Sequence, residues 1–319
     1  MNKTQSHTLF STLCFVVAIA LTGSAWCELQ GDCIATFPGG ALRTMVPLNG
    51  GLWLAVTTGS TLPQVWFSDL TPEGTTLLKT IPWVEWAWFY EGPATMTVGN
   101  NVYFNAEQPR PGMSSIWRSD GTQDGTVQLS PAAGNLVGEL NGIALFSSWS
   151  GGPQLCRSDG TESGTYVIKP GLDPVGAPVT VGGVMYFCGN SGDMHGRELW
   201  RTDGTEPGTY MVKEFGPGGG WGCLSPPFVL GDTVYFEGYD FAGGSGIDRS
   251  DGTSAGTYIV KRIHTVNTTC GVSNPAVAVD TAFFTAEDGV HGRELWKTNG
   301  TAAGTVLVKD ICSGSEDGV

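Results

Sequence analysis

Positive charge is scarce in this 319-residue chain: 16 Lys and Arg stand against 30 Asp and Glu, with only 4 His, for a net charge of −14. Nucleic acid and anionic membrane surfaces both call for an excess of cations, so neither is expected as a partner. Histidine is too rare for most metal chemistry, no HExxH occurs, and no local motif is read as supporting a Ser-His-Asp triad. His195 and His291 fall at one repeat position and read as turn or packing residues. There is no CxxC, which leaves zinc and redox motifs without support. Helical periodicity is also missing. Only one apolar run stands out, LCFVVAIALTG at 13–23, and it is short for a membrane span.

That run defines the first segment. Lys3 precedes it and the small residues GSA (23–25) follow, so residues 1–25 read as a secretory signal peptide cut near Ala25 or Cys27. Its removal takes one Lys and no acid, leaving 15 − 30 = −15. No second run approaches spanning length, so the mature chain is expected to be exported and without a membrane span. In an oxidising compartment Cys33, Cys156, Cys188, Cys223, Cys270 and Cys312 form an even set with fifteen possible pairings.

What the chain has in quantity is glycine, 48 residues, and a repeated signature. Aligned on its acid, the signature falls at Asp69, Asp120, Asp159, Asp203, Asp251 and Asn299, at intervals of 51, 39, 44, 48 and 48 residues. A Ser or Thr precedes each, a Thr follows two positions later, and a Gly-Thr pair closes the unit. Periods of about 40–50 residues indicate a β-propeller or a related array. Each unit divides into four short strands; in the sixth these are AVAV (276–279), AFFTA (282–286), RELWKT (293–298) and GTVLVKDI (304–311). Tight turns join the first two strands at Asn49-Gly50, Gly99-Asn100, Asn141-Gly142, Gly182-Gly183, Gly231-Asp232 and Asp280-Thr281. The predicted fold is all-β, a six-bladed propeller of four-stranded antiparallel blades over 38–312, with seven blades or an open array as alternatives. Residues 26–37 form a seam segment and 313–319 a tail.

The signature lies on the hairpin between strands three and four, where Ser/Thr-Asp-Gly-Thr supplies acceptors for turn N–H groups. Six copies cannot all be catalytic, so these acids read as structural. Unit one carries Leu70 where the others have Gly, which predicts a different turn. The segments ELWRTDGTEPGT (198–209) and ELWKTNGTAAGT (294–305) resemble the ELWxxDGT repeat family of secreted, mainly bacterial surface proteins. The match runs over about 38–311. Units three and five depart from it, with Cys156 and Asp248 at the Trp position. The resemblance implies an extracellular propeller and no settled activity. The hairpin is also similar to the structural Asp-box of sialidases.

Cys33 and Cys312 flank the array, so a Cys33–Cys312 bridge is the expected clasp. Cys223–Cys270 and Cys156–Cys188 are the remaining pairs. Strand parity puts the signature turns on one face and the linkers with the two-to-three loops on the other. On that second face IPWVEWAWFYEGP (81–93) concentrates Trp83, Trp86, Trp88 and Tyr90, joined by Trp221. Exposed aromatic clusters mark contact sites, so these are the candidate residues for a glycan or protein partner. No cofactor is expected, although Asp240 and Asp248 offer hard oxygen donors of the kind Ca²⁺ takes. Asn267 and Asn299 sit in glycosylation sequons. The chain therefore reads as a secreted, non-catalytic surface, adhesion or assembly module. The competing readings are a propeller-type glycosidase or sialidase-like enzyme using acids such as Glu85, Glu91, Glu107 or Asp193, and a subunit of an extracellular filament.

Overall fold

A computed structural model describes residues 12–14, 36–38, 40–58, 63–81, 94–107, 114–130, 134–192, 196–215, 222–240, 243–265 and 268–318. Among them there is no helix, and six antiparallel sheets of four strands follow one another, the content of a six-bladed propeller. Blade one comprises Gly40–Leu48, Gly51–Thr58, Gln64–Ser68 and Thr75–Thr80; blade two, Thr95–Val98, Asn101–Glu107, Ser114–Ser119 and Val127–Ser130. Blade three comprises Leu136–Leu140, Ile143–Ser148, Gln154–Ser158 and Tyr166–Pro170; blade four, Asp173–Val181, Val184–Asn190, Arg197–Thr202 and Tyr210–Lys213. Blade five comprises Phe228–Leu230, Thr233–Asp240, Gly244–Ser250 and Tyr258–His264; blade six, Ser273–Ala278, Thr281–Glu287, Arg293–Thr298 and Val306–Lys309. The chain divides into two compact units, Met1–Leu136 with the first two blades and Val137–Val319 with the other four. A further two-stranded ladder pairs Thr12–Cys14 with Thr36–Pro38.

Alternation along the strands gives each blade two apolar faces, and the clusters show what each face meets. Phe187 lies opposite Trp200 on blade four, and both pack with Leu145, Leu155 and Ile168 of blade three. Phe284 lies opposite Trp296 on blade six, packed with Ile247 and Ile263 of blade five. Within the first unit Phe104 and Trp117 of blade two meet Trp53 and Val65 of blade one. In each case the Phe–Trp face plugs the preceding blade. Beside the Trp position the ladder between strands three and four slips by one residue, at Leu199/Trp200 and Leu295/Trp296. Such bulges add local twist, which suits radially stacked sheets.

The first hairpin of each blade needs left-handed backbone, and the sequence supplies it at Asn49 (φ 49°), Asn141 (φ 51°) and Gly182 (φ 57°). Blade six differs from expectation. Its first strand ends at Ala278 and its second begins at Thr281, so the turn is Val279-Asp280 and Val279 itself takes φ 54°. Leu70 takes φ 74°, close to the +85° to +92° of the glycines at its repeat position. Unit one therefore keeps the common turn and bears the strain, contrary to the sequence expectation. A side chain held in this region costs about 1–2 kcal/mol. Leu70→Gly and Val279→Gly should each raise stability by about 1 kcal/mol, less the entropy that Gly adds to the unfolded chain. Urea midpoints would show it; a fall in both would contradict the strain.

Candidate functional site

The six signature hairpins are built alike. In blade four, Asp203 Oδ1 accepts from Thr205 N at 2.9 Å and Thr205 Oγ1 at 2.6 Å. Thr205 Oγ1 in turn accepts from Gly208 N, and Thr209 Oγ1 donates to Thr205 O. Gly208 is obligatory because a Cβ there would collide with the Asp203 carboxylate. The same bonds recur from Asp69, Asp120, Asp159 and Asp251. Asn299 Oδ1 makes them too, from Thr301 N at 3.1 Å and Oγ1 at 2.7 Å. The Thr donors hold Asp69, Asp159, Asp203 and Asp251 below the ordinary carboxylate value of 3.8; at Asp120 they outweigh partial desolvation. A depressed pKa contributes stability above the ordinary value and loses it as the pH falls through the lowered one. These acids hold turns.

Several of the recurring cations are engaged within the blades or between them. Arg157, Arg201 and Arg249 stack on Tyr166, Tyr210 and Tyr258 of the neighbouring strand, 5.3, 5.1 and 5.3 Å from the ring centres. Arg157 Nη1 also donates to Gly204 O in the signature turn of the next blade, at 3.3 Å. Lys213 Nζ reaches Thr257 O, again in the next turn, at 2.6 Å. Arg157 and Lys213 are therefore ties between successive blades of the second unit.

The other end of the second unit, where the linkers run, concentrates buried polar groups. Glu198, the Glu of ELW in blade four, is fully buried; its Oε1 accepts from Phe215 N at 3.4 Å and its Oε2 packs on Gly222. Its repeat partner Glu294 accepts from Cys312 N at 3.2 Å and packs on Gly318. Gly222 N and Gly318 N both donate back to the residue before the Glu, to Arg197 O and Arg293 O. The Glu of ELW is thus a clamp for the linker that follows its blade. Residues 313–318, a tail by sequence, dock in this way, with Asp317 Oδ1 accepting from Arg293 N at 2.8 Å. Burial, reinforced by the charge of Glu214 and opposed by the Phe215 N–H, pushes the Glu198 carboxyl from 4.5 up to about 8. A raised acid leaves stability untouched below pH 4.5 and takes it away progressively between pH 4.5 and about 8, the range in which the unfolded chain is ionised and the folded one mostly is not. Glu198→Gln should therefore match the parent at pH 4 and exceed it in urea midpoint at pH 8. An equal offset at both pH values would refute the burial argument.

Disulfide pairing differs from the expectation. Cys188 on the second strand of blade four is joined to Cys223 in the following linker, so neither Cys223–Cys270 nor Cys156–Cys188 forms. Cys156 and Cys270 are buried free thiols, both pushed up by burial. The reason lies in register. Cys188 faces Leu199, and Glu237 faces Ile247 at the same place in blade five. Where blade four reaches its linker through sulfur, blade five uses a carboxylate: Glu237 accepts from Cys270 Sγ, Gly271 N and Val272 N at 3.4, 3.0 and 2.9 Å. Cys312 is a free thiol, 3.6 Å from Glu316 Oε2; Cys33, its expected partner, lies outside the described residues.

Trp83, Trp86, Trp88, Tyr90 and Trp221 likewise lie outside the described residues, as do Glu85, Glu91, Asp193, His195 and Asn267. Asp240 and Glu107 are described only as strand ends. Asp248 is fully buried opposite Phe236, its carboxylate against Gly238, and among the described residues no three acidic, His or Cys side chains converge on a metal position. His291 Nδ1 lies 2.8 Å from Asp288 Oδ2, which fastens the loop before RELW in blade six. Residues 252–256, GTSAG, do spell G-x-S-x-G, which the sequence reading passed over. Ser254 sits in a signature hairpin, its carbonyl accepting from Thr257 N, and not in the strand-to-helix elbow that the motif needs. Among the described residues no helix is long and apolar enough to cross a membrane.

No protein-family model matches the chain, and no curated protein does. Solved structures do. A puromycin hydrolase is similar at 15% identity, over 86% of this chain and 47% of its own, with a TM-score of 0.41. A prolyl endopeptidase is similar at 14% identity, over 89% and 43%, with a TM-score of 0.45. BamB from Moraxella catarrhalis is similar at 12% identity, over 87% and 79%, with a TM-score of 0.45. The chain spans less than half the length of the hydrolase and endopeptidase structures.

Proposed function

We propose that the chain is a secreted, non-catalytic propeller of the ELWxxDGT repeat type, serving as a surface, adhesion or assembly module. Its partner is a glycan or an extracellular protein, taken on the linker face by Trp83, Trp86, Trp88, Tyr90 and Trp221. The observation that supports this reading most is where the repeated polar residues go: the signature acids hold turns, Arg157 and Lys213 tie blades, and Arg201 and Arg249 stack on neighbouring Tyr rings. The non-repeated aromatic linker is then what distinguishes this chain's surface. The Cys188–Cys223 bridge fits an oxidising compartment. The experiment is a glycan and matrix-protein array probed with the mature chain and with its Trp83/Trp86/Trp88→Ala variant. Binding that the variant loses at unchanged melting temperature supports the reading. Equal signals from both, silence from both, or turnover of a polysaccharide overturns it.

A further inference from the structure

The chain holds three Asn-Gly pairs, Asn49-Gly50, Asn141-Gly142 and Asn299-Gly300. Such a pair can close into a cyclic imide, because Gly has no Cβ to hinder attack by its own amide nitrogen. All three Asn are exposed, yet their side chains are held in two different ways. Asn49 and Asn141 begin first hairpins, at φ 49° and 51°. Their amide nitrogens are in use: Asn49 Nδ2 donates to Asp120 O at 2.9 Å and Asn141 Nδ2 to Gly183 O at 3.0 Å. Among the described residues no donor reaches either Oδ1.

Asn299 is held the opposite way round. Its Oδ1 takes both donors of Thr301, the main-chain N–H and the hydroxyl. Thr301 Oγ1 itself accepts from Gly304 N at 3.0 Å, which polarises that hydroxyl further. Asn299 Nδ2 donates to nothing among the described residues. The next nitrogen is aligned too: Gly300 N donates to Thr298 Oγ1 at 3.0 Å, and that hydroxyl lies 2.7 Å from Thr305 Oγ1. Gly300 cannot give way to a bulkier, slower residue, since a Cβ there would collide with the Tyr235 hydroxyl of blade five.

Two donors aimed at a carbonyl oxygen that gains negative charge during attack form an oxyanion hole. At Asn299 that oxygen is Oδ1, and the attacking atom is Gly300 N, which loses its proton and bonds to Cγ. The Cγ–Nδ2 bond then breaks. The untied nitrogen leaves as ammonia, carrying the proton that Gly300 N gave up. Water opens the resulting imide, at Cγ to give an aspartate and at the main-chain carbonyl to give an isoaspartate. Nothing is oxidised or reduced, and water is the one co-reactant.

We propose that Asn299 is a self-deamidating position, converted by the signature turn that it helps to form. The aspartate product is one that the turn already accepts, because Asp203 takes the equivalent donors from Thr205 at 2.9 and 2.6 Å. The blade-six hairpin thereby gains a negative charge and keeps its hydrogen bonds. Asn49 and Asn141, with nitrogens tied and oxygens without donors, are slow internal standards in the same chain.

The test incubates the mature chain, made in a host that adds no glycan, near neutral pH, folded and in urea. Mass spectra of tryptic peptides follow the change from amide to acid; the peptide 298–309 contains Asn299 as its one side-chain amide. In the folded chain Asn299 should convert roughly tenfold faster than Asn49 or Asn141, and faster than it does itself in urea. Thr301→Val, which removes one donor from Oδ1, should slow it by about tenfold, and Thr301→Ser should restore the rate. Circular dichroism checks that both variants are folded. Equal rates at the three sites overturn the proposal, as does slower conversion of Asn299 in the folded chain than in urea. Faster conversion in Thr301→Val also overturns it, because the hairpin would then be a shield for the amide and not its catalyst.

Discussion

Trp200→Ala is expected to destabilise the second unit by about 3–5 kcal/mol. The indole is 5% exposed and fills the space between blades three and four, against Leu145, Leu155, Ile168 and Phe187. Removing it takes away the plug and leaves a cavity that strands on both sides cannot close without breaking their own ladders. Lys169, whose Nζ lies 5.8 Å from the ring centre, loses its cation–π partner as well. Trp200 Nε1 has no acceptor, so Trp200→Phe, which also drops that buried N–H, should cost much less than the Ala variant. Equilibrium unfolding in urea would measure both. Equal losses for Ala and Phe would mean that something other than filled volume makes the site.

How much of this was legible in the sequence depends on whether the information is local. The signature turn is local: Asp203, Thr205, Gly208 and Thr209 satisfy one another within seven residues, so spacing alone revealed both hairpin and role. The blade count followed. The plug is not local. That Trp200 faces blade three depends on which side of a strand meets which neighbour, and the repeated ELW shows only that the residues matter. The Glu of ELW was visible as a repeated acid, yet its work as a buried clamp required Gly222 and Gly318, about two dozen residues on. Turn placement in blade six failed by one residue because Asp280 is the better turn former, while the strand register puts Val279 at the left-handed position. The aromatic linker at 81–93 was singled out because it breaks the repeat, and a departure from a pattern carries no geometry of its own.

Loss of the Cys188–Cys223 bridge should cost about 4 kcal/mol, the chain-entropy value for its sequence separation of 35. Its place in the molecule makes the loss harder to absorb. The other two junctions of the second unit each contain a Trp, Trp200 between blades three and four and Trp296 between five and six. Between blades four and five the Trp position holds Asp248, and the apolar cluster there is made of Tyr186, Leu199, Val212, Val234 and Phe236 around the two sulfurs. The bridge stands at the junction of the second unit whose Trp position is taken by an acid. The Cys188→Ala/Cys223→Ala variant should unfold at a clearly lower urea concentration than the parent. Reductant should bring the parent down toward the variant and leave the variant where it is. Cys270→Ala is the control: its thiol is bonded to Glu237 and not to sulfur, so the variant should keep reductant sensitivity, and non-reducing peptide maps should still link 188 to 223. A double variant as stable as the parent would show that the junction holds without its bridge, and that Asp248 is not the weak point this argument makes it.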